Sequence, residues 1–76
     1  MTPKQCRAAR MAVGLSEHAL GKAAGFRKIT VTLFETGHPT PATTCEKLRQ
    51  VLEAAGVEFL ATDGNTFGVR LREAAK

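Results

Sequence analysis

No apolar run in the sequence approaches the roughly 20 residues that a membrane-spanning helix needs, so the chain is expected not to enter a membrane. A charged-then-apolar leader is also missing, and there are only two cysteines, Cys6 and Cys45. That is too few for a disulfide-stapled secreted scaffold, and the expectation is a cytoplasmic protein with free thiols. The two histidines, His18 and His38, lie far apart with no ligand-spaced cysteine or carboxylate beside them, so neither a metal site nor a cofactor is expected. There is no nucleophile at a suggestive distance from a base and no glycine-rich phosphate loop. With 76 residues the chain is too short to enclose a catalytic pocket, which argues against an enzyme. The same shortness limits the core to modest stability and makes dimerisation plausible.

What the sequence does have is basic charge, unevenly placed. Residues 1 to 38 carry six basic and two acidic groups, whereas residues 39 to 76 carry five of each, so the whole net charge of +4 belongs to the first half. Such a distribution suits a surface that faces a polyanion, although a small soluble protein also needs charge for its own sake.

Helix signals punctuate the first 56 residues. Thr2, Pro3 and Gln5 spell a capping box with proline at the first helical position, opening a helix to about Val13 that presents Cys6, Ala9 and Val13 on one face. Both cysteines fall on apolar faces, where a free thiol is usually a small core residue. Ser16 caps a second helix to Ala24, packed through Leu20, Ala23 and Ala24 and closed by Gly25. Gly21 inside it costs about 1 kcal/mol against alanine unless something packs very close. Thr40 and Pro41 repeat the cap-then-proline signal before a longer helix striped by Cys45, Leu48, Val51, Leu52 and Ala55. After Gly56 the period changes. Residues 57–60 and 67–72 flank Asp63-Gly64-Asn65, which reads as a terminal β-hairpin.

The stretch KITVTLFET, Lys28 to Thr36, alternates like a strand and is rich in β-branched residues. A lone strand between helices would have nothing to pair with, so the better reading is a short helix held by packing. Val31, Phe34 and Thr30 then share its inner side, while Lys28, Ile29, Thr32, Leu33 and Thr36 face out. Two short helices around a tight glycine-containing turn, on the basic half of the molecule, match the helix-turn-helix plan.

Residues Leu15 to Gly37, LSEHALGKAAGFRKITVTLFETG, resemble the XRE or Cro-like helix-turn-helix regulators, the group of the lambdoid phage repressors. The likeness extends over about residues 3 to 56, and the tail is similar to a short-chain subgroup ending in a strand or hairpin. It implies a mainly α fold, with a four-helix lambda repressor-like DNA-binding domain over 1–56 and a β-hairpin and tail over 57–76 that serves dimerisation. Arg10 in helix one and Glu35 at the end of the third helix match the positions of a structural salt bridge. Four positions depart from the pattern: Glu17 replaces a glutamine that touches phosphate, Arg27 a small cap, Leu33 a polar reader, and Gly21 an alanine, the last a benign change.

The function expected is that of a sequence-specific transcriptional regulator, a dimeric repressor that reads a palindromic operator in double-stranded DNA with the helix at about 27–36 in the major groove. Lys28 and Thr32 are the candidate base contacts, joined by Ile29 and Leu33, which would meet thymine methyls or else form a protein contact or an idle patch. Ser16, Lys22, Arg27, Thr36 and His38 are the candidate phosphate contacts. Val57, Phe59, Val69 and Leu71 alternate onto one hairpin face, the expected homodimer interface unless the hairpin folds back on its own helix four. The alternative function is an antitoxin-like or anti-activator module that uses the same fold to grip another protein.

Overall fold

The capping box forms as written: Thr2 Oγ1 accepts from the Gln5 backbone N–H at 3.1 Å, and Gln5 Oε1 accepts from the Thr2 N–H at 2.8 Å. It opens α1, Pro3–Ala12. In a computed structural model that describes residues 1–59 and 68–71, three further helices follow, α2 Glu17–Ala24, α3 Lys28–Glu35 and α4 Ala42–Ala54. The strands β1, Val57–Phe59, and β2, Val69–Leu71, then pair antiparallel with Val57 opposite Leu71 and Phe59 opposite Val69. The fold is thus mainly helical, four helices followed by a two-stranded hairpin. Leu60, the turn at Asp63-Gly64-Asn65, Phe67 and everything from Arg72 on lie outside the described residues.

One apolar cluster joins all four helices and β1: Cys6, Ala9, Leu20, Val31, Phe34, Leu48, Leu52 and Val57 are buried together. The inner and outer sides of α3 sort as the helical reading requires, with Val31 and Phe34 buried and Lys28, Ile29, Leu33 and Thr36 exposed. Tertiary burial therefore overrides the strand propensity of its β-branched residues.

Three details correct the sequence reading. Thr40 does not cap α4; its hydroxyl donates to the His38 carbonyl at 3.0 Å, and Pro41 occupies the cap position without a side-chain bond. Proline there has the extended backbone that a cap requires, and its carbonyl accepts from the Cys45 N–H. Ala23 and Ala55 are exposed, while α2 packs through the expected Leu20 and Ala24, with Gly21 buried as well. Gly21 is not a neutral substitution: a Cβ built there would sit 2.8 Å from the Arg27 carbonyl oxygen. Its lack of a side chain allows the start of α3 to approach α2.

The hairpin face expected between two subunits is largely spent inside one. Val57 is only 2% exposed, in the chain's own core, and Phe59 and Val69 pack against that core from β1 and β2. Two strands cannot shelter an apolar face by themselves, and α1 and α4 of the same chain lie close enough to cover it. Gln5 reinforces this, reaching the buried Gly68 carbonyl with its Nε2 at 3.4 Å. Of the four residues only Leu71 remains open, at 52%.

Candidate nucleic-acid interface

The tight connection between α2 and α3 is built from Gly25, Phe26 and Arg27. Gly25 adopts φ +85°, which glycine reaches without Cβ strain, and the Phe26 N–H turns back to the Gly21 carbonyl at 2.7 Å. Phe26 packs against the core, and Lys47 of α4 stands 5.9 Å over its ring, pinning the turn to the helix behind it. The turn therefore fixes α3 against α2 through backbone geometry, a buried ring and the close approach at Gly21.

The far end of α3 is fixed by an ion pair. Arg10 Nε lies 2.9 Å from Glu35 Oε2 and its Nη2 lies 3.0 Å from Oε1, a two-pronged contact whose side chains are 13% and 4% exposed. Arg10 Nη1 also donates to the Leu15 carbonyl at 3.1 Å, so one guanidinium ties α1, the α1–α2 connection and α3 together. The hydrogen bond to Glu35 raises the Arg10 pKa above its ordinary value. The Cys6 thiol donates to Glu35 Oε2 at 3.4 Å, and burial together with that neighbouring charge pushes its pKa far up. Such a thiol stays protonated and serves as a packing group and hydrogen-bond donor.

Between these two anchors α3 presents its outer side. Lys28 and Ile29 stand on the first turn and Leu33 on the next; Ile29 is 53% and Leu33 40% exposed, an apolar pair one turn apart that the described residues leave open. Arg27 sits at the cap position of α3 without a side-chain cap bond, so its guanidinium is free to face outward. Among the described residues Lys22, Arg27 and Lys28 are exposed and enter no ion pair, and the same holds for Lys4 and Arg7 on α1 and Lys47 on α4, whereas Arg49 and Arg70 are held by glutamates. The unpaired cations of the α2–α3 unit and its uncapped helix start are features that suit phosphate.

Other candidate residues prove to be engaged within the chain. Ser16 accepts from the Ala19 N–H at 3.0 Å, its task as the α2 cap, and keeps its own proton for a further contact. Thr36 bonds back to the Thr32 and Leu33 carbonyls at 2.9 and 3.1 Å, and its oxygen lies 3.0 Å from Nδ1 of the exposed His38. Thr32 donates to Glu17 Oε1 at 2.9 Å, with the Lys28 carbonyl at 3.3 Å as the alternative acceptor. The sequence marked Glu17 as a departure at a phosphate-touching position but did not link it to Thr32. Fifteen positions separate it from Thr32, and no spacing rule links the first turn of one helix to the second turn of the next.

Among the described residues no helix is long and apolar enough to cross a membrane, and no three His, Cys, Asp or Glu side chains group as metal ligands would. No protein-family model matches the chain, and no curated protein matches it significantly.

Proposed function

We propose that the chain is a sequence-specific regulator of transcription that binds double-stranded DNA through α2 and α3, with α3 lying in the major groove. The observation that carries this reading is a short helix anchored at both ends whose outward side holds an exposed cation and an exposed apolar pair. Its inner side is core, its ends are set by the Gly25 turn and the Arg10–Glu35 pair, and Lys28, Ile29 and Leu33 are exposed between them. A solvated surface helix would ordinarily be polar there, whereas a reading helix needs a donor for base edges and apolar atoms for thymine methyls. Lys28 supplies the donor, suited to guanine O6 and N7. Lys22 and Arg27 hold phosphates, with Ser16, Thr36 and His38 as polar supports.

Repression by occupancy requires two copies on a palindrome, with reading helices about 34 Å apart. Because most of the hairpin's apolar face is spent inside the chain, contact between copies falls to the open strand edges and to Leu71.

Salt titration of binding to duplex DNA tests the reading. Two cations, Lys22 and Arg27, each neutralising one phosphate give a double-logarithmic slope of about −2 per bound subunit. The exposed Ile29 and Leu33 also favour a second reading, a module that grips another protein through this face. That reading predicts no salt-dependent binding to DNA.

A further inference from the structure

Thr32 has one hydroxyl proton and two protein acceptors competing for it, Glu17 Oε1 at 2.9 Å and the Lys28 carbonyl at 3.3 Å. The shorter contact goes to a carboxylate, the stronger acceptor. With its proton held by the nearer carboxylate, the hydroxyl is left with only lone pairs to offer a third group. Thr32 is half-buried on the outer side of α3, one turn beyond Lys28 and next to Leu33.

We infer that Glu17 is a positioning residue that fixes the polarity of Thr32, making it a hydrogen-bond acceptor that selects an amino-bearing base, adenine or cytosine, at one position of the bound DNA. This rests on the DNA-binding reading proposed above. In the major groove adenine N6 and cytosine N4 offer donors, while guanine O6 and N7 and thymine O4 offer acceptors. An acceptor-only Thr32 pairs with the first two and sets oxygen against oxygen or nitrogen at the others. The carboxylate also polarises the hydroxyl and makes its oxygen the better acceptor. A negative charge at the edge of a phosphate-facing surface thus has a use: it costs general affinity and contributes choice of base.

Glu17 has a structural role as well, since an acid in the first turn of α2 complements the helix dipole. The two roles separate under substitution. Glu17→Gln keeps the size and can donate an amide N–H to Thr32 Oγ1, which leaves the hydroxyl proton only the longer 3.3 Å contact with the Lys28 carbonyl and lets it turn outward to a base acceptor. Thr32→Val keeps the shape and removes the acceptor altogether.

The experiment takes the full-length chain and the best duplex selected from a random pool, varies each base pair of a half-site in turn, and measures relative affinity for wild type, Glu17→Gln, Thr32→Val and the double variant. Wild type should show one position where adenine or cytosine on the contacted strand is preferred about fivefold over guanine or thymine. Both single variants should flatten that position alone, and the double variant should flatten it no further. A Glu17→Gln effect equal for all bases at all positions, as loss of a charge or of helix stability would give, overturns the inference while leaving DNA binding intact. So does a base-specific Glu17→Gln effect that persists in the Thr32→Val background. Failure of wild type to enrich any sequence overturns the DNA-binding reading, and this inference falls with it.

Discussion

Replacing Arg10 by alanine removes the guanidinium that neutralises Glu35 and leaves that carboxylate, 4% exposed, with the Cys6 thiol at 3.4 Å as its one remaining donor among the bonds described. It also releases the Leu15 carbonyl from its 3.1 Å bond. Breaking a buried pair from one side costs about 3–5 kcal/mol, against at most about 1 kcal/mol for an exposed pair. A domain of 76 residues has a total stability of about 4–11 kcal/mol, so the loss is a large fraction of the whole. At roughly 4–8 °C per kcal/mol for this size, the melting temperature should fall by roughly 12–40 °C. Thermal unfolding followed by far-ultraviolet circular dichroism reads this directly. Arg10→Lys should fall between wild type and alanine, because an ammonium keeps the charge but not the two-pronged geometry. Glu35→Leu combined with Arg10→Met should recover much of the stability, since a packed apolar pair avoids the desolvation cost. An Arg10→Ala protein that melts within a degree or two of wild type would refute the assignment of this pair as the anchor of α3.

Gly21→Ala should lower the urea midpoint, because the clash with the Arg27 carbonyl costs about 1–3 kcal/mol and outweighs a helix-propensity gain of about 1 kcal/mol; a raised midpoint would contradict the close approach of α2 and α3. Val57→Ala should destabilise by about 2 kcal/mol to the same extent at every protein concentration, since Val57 lies in the chain's own core. A cost that disappears on dilution would return it to a subunit interface. Lys28→Ala should lose about 1–3 kcal/mol on the preferred sequence and relax choice at one position, whereas Arg27→Ala should weaken all duplexes alike and reduce the salt slope by about one unit; equal, sequence-blind losses would remove Lys28 from the reading set. Leu71→Asp should shift sedimentation toward the monomer without a change in melting temperature, and an unchanged oligomer would exclude Leu71 from the contact between copies.

Features that depend on a few neighbouring residues were legible in the sequence. The capping box of Thr2 and Gln5, the Ser16 cap and the turn at Gly25 each follow from local hydrogen-bond geometry, and they delimit α1 and α2 within a residue or two. For α3 the alternation of Ile29, Val31 and Leu33 pointed the wrong way, and only the lack of a partner strand argued for a helix. Features set by the distance between elements were not legible. Sequence alone could state the condition under which Gly21 is needed but not that the Arg27 carbonyl meets it. The period-two pattern of Val57, Phe59, Val69 and Leu71 gave one apolar face correctly, but which surface covers that face depends on how the hairpin folds over α1 and α4. The Glu17–Thr32 bond is of the same kind, created by the crossing of two helices.

Dimethyl sulfate probing of a duplex selected from a random pool tests the central claim most directly, because the reagent marks guanine N7 in the major groove and adenine N3 in the minor groove. With α3 in the major groove and two copies bound, guanine N7 should be protected in two patches one helical turn apart, about 10 base pairs. The Lys28→Ala protein should lose protection at one guanine in each patch. Enrichment of no sequence, or protection confined to adenine N3, would contradict the account.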